Sequence, residues 1–118
     1  MAPRTTRAAA TERELLMVAL IDDLAREGYV AVPECRFDPE RKSRFDLAIP
    51  ASKLALEIQG VGVSAVHGAH QRIGGMRVDH EKNFRAVKMG WRVIYCLWDD
   101  VRDGTVLAWL REVLRERG

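Results

Sequence analysis

Two acidic residues lie inside two short apolar stretches that follow one another closely in the sequence. Asp46 lies within residues 44–50 and Glu57 within residues 53–60, and each stretch is typical of a short β-strand. Residues 50–52, Pro-Ala-Ser, predict a turn between the two strands. Burying a bare carboxylate is costly, so two of them on paired strands indicate a shared role. Holding a divalent cation is the role that suits them best.

The composition predicts one small soluble domain. The chain has 118 residues, of which 47% are hydrophobic and 31% are charged. We expect residues 1–10 to form a flexible tail and residues 11–118 a single domain. There is no apolar run long enough to span a bilayer and no apolar signal-peptide core, so we expect neither membrane insertion nor export. Cys35 and Cys96 form no CxxC pair, which favours free thiols in a reducing cytoplasm.

The charge is unevenly distributed along the chain. Residues 36–92 contain eleven Lys or Arg against six Asp or Glu, a balance of +5, while the remainder carries −3. This central segment is where a polyanion such as DNA would be attracted. A solvated surface of mixed charge explains the same counts.

A capping box predicts where the first helix begins. Thr11 and Glu14 have the spacing of that motif, an apolar stripe at helical period follows, and Gly28 ends the helix. Residues 34–43 are polar and contain proline, so we expect a loop there. The stretch from residue 60 to residue 75 is too rich in glycine for a regular element and predicts a second loop, near the acidic strands.

The second half of the chain predicts a helix, a strand and a helix. The second helix is expected over residues 79–89, with Asp79 at its cap and with Phe84 and Val87 facing inward. Residues 91–97 form the clearest β run, and the C-terminal stretch has the pattern of an amphipathic helix. The three tryptophans are expected in the core. The resulting order, α-β-β-α-β-α, predicts an α/β fold with a mixed sheet flanked by helices.

These elements and motifs resemble the PD-(D/E)XK nuclease superfamily, which has the restriction-endonuclease-like fold. The residues that carry the resemblance are Phe45-Asp46, Glu57-x-Gln59, Asp79-x-x-Lys82-Asn83 and Gly90-Trp91-Arg92-Val93-Ile94, and it extends from Glu14 to about Trp109. It is closest in character to small phage-type members and to VRR-NUC-like or very-short-patch-repair-like members. The resemblance implies a metal-dependent endonuclease that hydrolyses DNA phosphodiester bonds, in repair or restriction.

The resemblance also implies a metal site. Asp46 and Glu57 would bind Mg²⁺, or Mn²⁺, together with the backbone carbonyl of Ile58, since hard oxygen ligands suit these ions. The cation would lower the pKa of a water and neutralise charge developing on the phosphate. Glu14 would complete the site as a first-helix acid does in relatives, although its capping-box role accounts for it equally well.

Two positions depart from the superfamily pattern. Gln59 stands where the motif has lysine, and Phe45 stands where the motif has proline. A glutamine orients a water by hydrogen bonds but brings no positive charge. A lysine from the following helix sometimes substitutes, and Lys82 is the candidate. We therefore assign catalytic roles to Asp46, Glu57, Gln59 and Lys82.

Five further residues are assigned to substrate binding. They are Arg44, His70, Arg77, Asp79 and Asn83. Plainer interpretations stand beside these: Asp79 as a helix cap, or Lys82 as a solvated surface lysine. The two central acids would then face solvent or pair with Arg44 or Lys53. The spacing of His67 and His70 would suit zinc, but the chain offers too few further ligands.

Two other functions compete with the nuclease assignment. The first is a nucleic-acid-binding or assembly module that kept the fold and lost catalysis, which Gln59 keeps in contention. The second is an HNH-type nuclease using His70 and Asn83, ranked lower because Asn83 falls inside a predicted helix. The choice of DNA over RNA, the preferred DNA structure, and a homodimer with one active site for each strand all stay open.

Overall fold

The structure is a computed structural model that describes residues 10–60 and 72–117, without the side chains of residues 72–79 and 117. A short 3₁₀ turn at Pro50–Ser52 connects the second and third strands. The helices and strands, in chain order, are α1 (Glu12–Arg26), β1 (Val32–Arg36), β2 (Arg44–Ile49), β3 (Leu54–Gln59), α2 (Arg72–Lys88), β4 (Arg92–Leu97), α3 (Trp98–Arg102) and α4 (Thr105–Arg117).

The four strands form one mixed sheet in the order β1-β2-β3-β4. The first two pairings are antiparallel and the β3–β4 pairing is parallel, with α2 lying between those two strands in the chain. The predicted α/β fold with a mixed sheet and helices is therefore confirmed. Within the described residues, no helix combines the length and the apolar character needed to cross a bilayer.

The sequence of β3, Leu-Ala-Leu-Glu-Ile-Gln, shows how the sheet separates its two faces. Successive side chains of a strand point to opposite faces. Leu54 and Leu56 belong to a core that also buries leucines of α1 and α4. Ala55 lies on the other face, in register with Ala48 of β2 and Val93 of β4. Glu57 and Gln59 continue that second face. The two-residue alternation along β3 thus places the core leucines on one face and the polar residues on the other.

A second core lies between the alanine face of the sheet and α2. It contains Ala86 of α2 together with three aromatic residues. The Phe37 and Phe45 rings are stacked with centroids 4.1 Å apart, and the Trp91 ring lies 5.1 Å from that of Phe45. Three aromatic residues and three alanines therefore form the core between α2 and the sheet.

The start of α1 is as predicted. The Glu14 N–H donates to the Thr11 hydroxyl at 3.1 Å, and the Thr11 N–H donates to the Glu14 carboxylate at 2.8 Å. Beyond the end of the helix, Gly28 has φ +93°, a conformation that favours glycine.

The loop predicted over residues 34–43 is partly wrong, because β1 covers Val32–Arg36. Proline and glutamate are uncommon in strands, so Pro33 and Glu34 made this strand hard to predict from the sequence. The strand pairs only with β2, so it is an edge of the described sheet, and an edge strand tolerates proline, which has no N–H to donate.

The second helix begins earlier than predicted. It starts at Arg72 and includes Gly74 and Gly75, so Asp79 lies within the helix and not at its cap. The inward-facing positions were also wrong: Phe84 and Val87 are 63% and 71% exposed. The helix instead turns Ala86 and its neighbouring charged residues towards the sheet.

Two smaller differences concern the C-terminal part. A short helix, α3, precedes α4, and Trp109, which was expected in the core, is 41% exposed, whereas Trp91 is buried. Both cysteines are free, as predicted. Burial, with a lesser contribution from the charges of Asp100 and Asp46, raises the pKa of Cys96 to about 12, so this thiol stays protonated.

Candidate active site

A pocket of about 440 Å³ opens at one end of the β2–β3 pair, beside the middle of α2. Four of the residues that line it come from β2 and β3, two from α2 and one from β4. They are Asp46, Glu57, Ile58, Gln59, Lys82, Asn83 and Tyr95. The structure thus brings together all four residues assigned to catalysis.

The two acids lie where the backbone pairing of β2 with β3 ends. The last Cα partners of that ladder are Leu47 and Leu56. One residue further, the Asp46 N–H donates to Glu57 Oε2 at 2.9 Å, and the Ile58 N–H donates to Asp46 Oδ2 at 2.7 Å. The carboxylates therefore replace the missing backbone acceptors, which fixes each side chain to the opposite strand and holds the two groups side by side.

Lys82 supplies the positive charge in this pocket. Its ammonium donates to Glu57 Oε1 and to the Arg44 carbonyl, each at 2.6 Å, and it lies 5.4 Å from the centroid of the buried Phe45 ring. The Lys82 and Glu57 side chains are only 13% and 17% exposed. Since so little water screens this pair, it is stronger than an ordinary surface ion pair.

The structure also decides between the pairings considered for the acids. Lys53 does not reach them: its ammonium donates to the Met89 carbonyl at 2.7 Å and so caps the C-terminus of α2. Arg44 contributes its backbone carbonyl to Lys82, while its side chain is exposed. Lys82 is therefore a partner of the acid pair and not a solvated surface residue.

Tyr95 is a pocket residue that the sequence did not point to. Its hydroxyl donates to Asn83 Oδ1 at 2.6 Å, which joins β4 to α2 across the mouth of the pocket. Tyr95 is the register partner of Glu57 in the parallel β3–β4 pair. The alternation Val93, Tyr95 along β4 was the available signal, because it places the tyrosine on the face of Ala55 and Glu57.

A second pocket, of about 250 Å³, adjoins the first. Asp46 and Ile58 line both, and Glu14 and Glu34 line only the second. Glu14 thus lies near Asp46, and it serves α1 as a capping residue. Glu34 has φ +51°, a left-handed conformation that is uncommon for glutamate. No pattern of residue types pointed to Glu34, because it fell within a segment expected to be a loop.

No protein-family model, curated protein or solved structure matches the chain. The resemblance therefore depends on the motif residues, of which the pocket collects Asp46, Glu57, Gln59, Lys82 and Asn83. His70 lies outside the described residues. Arg77 and Asp79 lie on α2, in the part whose side chains are not described.

The pocket offers oxygen donors that suit a divalent cation. Within the described part of the chain, there is no cluster of three or more His, Cys, Asp or Glu placed to hold a metal. The donors would be the two carboxylates, with the Ile58 carbonyl as the further ligand that the resemblance implies, and Mg²⁺ commonly binds through one or two carboxylates while keeping several waters. One oxygen of each carboxylate accepts a backbone N–H, and the second oxygen of Glu57 accepts from Lys82. A cation would thus compete with Lys82 for Glu57.

Several basic residues of the central segment are engaged within the protein. Arg36 donates to the Arg41 carbonyl at 2.7 Å, and Arg41 pairs with Glu81 at 3.1 Å. The exposed Lys42 and Arg44 side chains form no ion pair with the residues that the structure describes. The surface charge available to a polyanion beside the pocket is therefore smaller than the sequence count suggests.

Proposed function

We propose that this protein is a Mg²⁺-dependent endonuclease of the PD-(D/E)XK class that hydrolyses DNA phosphodiester bonds. The observation that carries the proposal is the crosswise bonding of Asp46 and Glu57 at the open end of two strands, with the Lys82 ammonium in the same pocket. Two carboxylates and a cationic group around one cavity are what phosphodiester hydrolysis with a divalent cation requires.

The charge of the pocket supports a requirement for a cation. Its ionisable side chains are two carboxylates and one ammonium, a sum of −1. A phosphodiester is also negative, so the protein alone would repel it. One divalent cation would change the sum to +1 and make the pocket attractive to phosphate.

Each residue then has a chemical task. Asp46, Glu57 and the Ile58 carbonyl would hold Mg²⁺ or Mn²⁺, which when bound lowers the pKa of a water and offsets charge on the phosphate. Gln59 orients the attacking water by hydrogen bonds, because an amide both donates and accepts. Lys82 stabilises the negative charge that gathers in the transition state.

The position of Lys82 supports the idea that a lysine on the helix takes the role of the motif lysine. In this chain the motif position holds Gln59, yet an ammonium still reaches Glu57 from α2. The substrate-binding residues would be Arg44 and Asn83, with Tyr95 holding the Asn83 side chain. His70, Arg77 and Asp79 stay expectations from the resemblance.

The second candidate is a binding or assembly module without catalysis. Lys82 favours it in one respect, because the ammonium already neutralises the charge of Glu57 without a metal. The HNH alternative is less well supported, since Asn83 lies well inside the helix α2.

A cleavage assay distinguishes these functions. Purified protein is incubated with plasmid, linear, branched and single-stranded DNA, and with RNA, in Mg²⁺, Mn²⁺ or EDTA. We expect DNA cleavage with either cation and none in EDTA. Glu57→Gln is the matched inactive control, because the amide keeps an acceptor for the Asp46 N–H.

Two results would contradict the proposal. Cleavage that persists in EDTA, or at the wild-type rate in Glu57→Gln, would exclude this pocket as the active site. DNA binding without cleavage under any cation would favour the binding module.

A further inference from the structure

A second charged cluster lies one helical turn from Lys82. The Asp38 side chain is 1% exposed and accepts two hydrogen bonds from the Arg85 guanidinium, one from Nη2 at 3.0 Å and one from Nε. Asp38 Oδ1 also accepts the Glu40 N–H at 2.9 Å, and the same guanidinium donates to Glu40 Oε1 at 3.0 Å. Burying a charged carboxylate costs free energy unless the carboxylate is paired, and the Asp38 carboxylate is fully paired.

This cluster ties α2 to the connection between β1 and β2. Asp38 lies near the start of that connection, and Arg44, whose carbonyl binds Lys82, begins β2 at its end. A third link, between Arg41 and Glu81, spans the same gap. The connection between β1 and β2 therefore contacts two consecutive turns of α2.

Arg85 is the residue in this cluster that fixes the helix. Lys82 and Arg85 are three residues apart, so their side chains share one face of α2. A planar guanidinium bound through two donors has a defined orientation, whereas a lysine ammonium lies at the end of a flexible four-carbon stem. The position of the Lys82 ammonium thus depends on where the helix backbone is held.

We propose that Asp38, acting through Arg85, is a positioning residue that holds Lys82 on Glu57. The inference rests on the proposed function for its catalytic consequence. Catalytic groups must be held within about 0.5 Å of the productive position, and a flexible lysine achieves this only if its helix is fixed. The depressed pKa of Asp38, which Arg85 causes, keeps the carboxylate charged throughout the working range of pH.

A double-mutant cycle tests the catalytic part. Single-turnover cleavage rates are measured for wild type, Asp38→Asn, Lys82→Met and the double variant, at saturating DNA with Mg²⁺. We expect Asp38→Asn to lower the rate about tenfold with the apparent DNA affinity unchanged, and to have no further effect once Lys82 is gone. Equal effects of Asp38→Asn in both backgrounds would overturn the proposal.

The matched control breaks another two-point ion pair, whose residues line neither pocket. Glu12 accepts from Arg102 Nε at 2.9 Å and from Nη2 at 3.0 Å, linking α1 to α3. Glu12→Gln should leave the cleavage rate at the wild-type value, which would show that losing a two-point ion pair does not by itself slow cleavage. If Asp38→Asn does not fold, Arg85→Lys, which keeps the charge but not the paired donors, takes its place with an intermediate loss expected.

A measurement without DNA separates this inference from the proposed function. The ¹⁵N–¹H resonance of the Lys82 ammonium, assigned by its absence in Lys82→Met, is compared among variants by NMR. We expect it to move towards the values of exposed lysines in Asp38→Asn and to be unchanged in Glu12→Gln. If the wild-type protein cuts no nucleic acid, the proposed function fails, but an unshifted Lys82 signal is what would overturn the positioning role.

Discussion

The two ends of the β2–β3 pair are held together in different ways. At one end, from Leu47 and Leu56 to Ile49 and Leu54, backbone hydrogen bonds join the strands and all four side chains are buried. At the other end, one residue further, carboxylates accept the backbone N–H groups and a pocket opens. The comparison teaches that one pair of strands carries stability and candidate chemistry in adjacent segments. Mutations in the two segments should therefore affect different properties, stability in one and activity in the other.

The largest expected effect tests that boundary directly. Asp46→Asn should reduce the DNA cleavage rate by about a thousandfold or more, because a carboxylate ligand of the cation is lost. Leu56→Ala should instead cost about 2–5 kcal/mol of unfolding free energy, from lost burial and a cavity. Cleavage assays and urea denaturation of both variants are the measurements. A Leu56→Ala protein that stays as stable as wild type, or an Asp46→Asn protein that cuts normally, would remove the distinction.

The next effect concerns the two residues that, under the proposed function, would take the place of the motif lysine. Lys82→Ala should lower the cleavage rate by about a hundredfold and Gln59→Ala by about tenfold, since the first removes charge stabilisation and the second only orientation. Gln59→Lys should keep or raise activity, because it restores the usual residue. A fully active Lys82→Ala together with an inactive Gln59→Ala would show that Gln59 alone serves the water.

Competition for Glu57 predicts an effect on cation binding. Lys82→Met should bind Mn²⁺ about tenfold more tightly than wild type, since a charged hydrogen bond no longer has to be broken. Calorimetric titration with Mn²⁺ in the absence of DNA gives the affinity. Lys88→Met, at an exposed position on the same helix, is the control and should bind Mn²⁺ as wild type does. An unchanged affinity in Lys82→Met would mean that the ammonium does not occupy the cation position.

The salt dependence of DNA affinity should distinguish arginines that are hydrogen-bonded within the protein from arginines whose side chains face solvent. DNA affinity should fall about tenfold between 50 and 200 mM salt, the effect of about two phosphate contacts. Arg44→Ala should reduce the logarithmic salt slope by about one. Arg36→Ala should leave the slope unchanged, because Arg36 donates to backbone carbonyls of its own loop. Equal slopes for both variants would argue against Arg44 as a phosphate contact.

The smallest effect is a pH dependence of stability. The Arg85 hydrogen bonds lower the pKa of Asp38 from 3.8 to about 2. A group whose pKa is lower in the folded protein stabilises it above the unfolded pKa, so this contribution is present above about pH 4 and is lost as the pH falls towards 2. The stability difference between wild type and Asp38→Asn, measured by urea denaturation, should shrink over that interval. A difference that is constant from pH 5 to pH 2 would contradict the assignment.

Much of the acidic pocket could be predicted because its signal is local. The capping box, the acids within apolar strands and the alternation of β3 are all visible over a few residues. The edge strand β1 could not be found, since Pro33 and Glu34 lack strand propensity and only the outer position tolerates them. The pairing of Asp38 with Arg85 joins residues 47 positions apart, and no pattern of residue types specifies such a contact. The inward face of α2 was missed because small and charged residues, and not its apolar ones, contact the sheet.

The alanines under α2 have a consequence for how this protein could change. Ala48, Ala55 and Ala86 belong to the core beneath α2 and are at most 2% exposed, so a larger side chain at any of them would overpack this core. None of the three lines the pocket. We expect such a substitution to shift α2 and draw Lys82 away from the acids. Under the proposed function, the spacing between Lys82 and the acid pair could thus change while all the residues assigned to catalysis stayed the same.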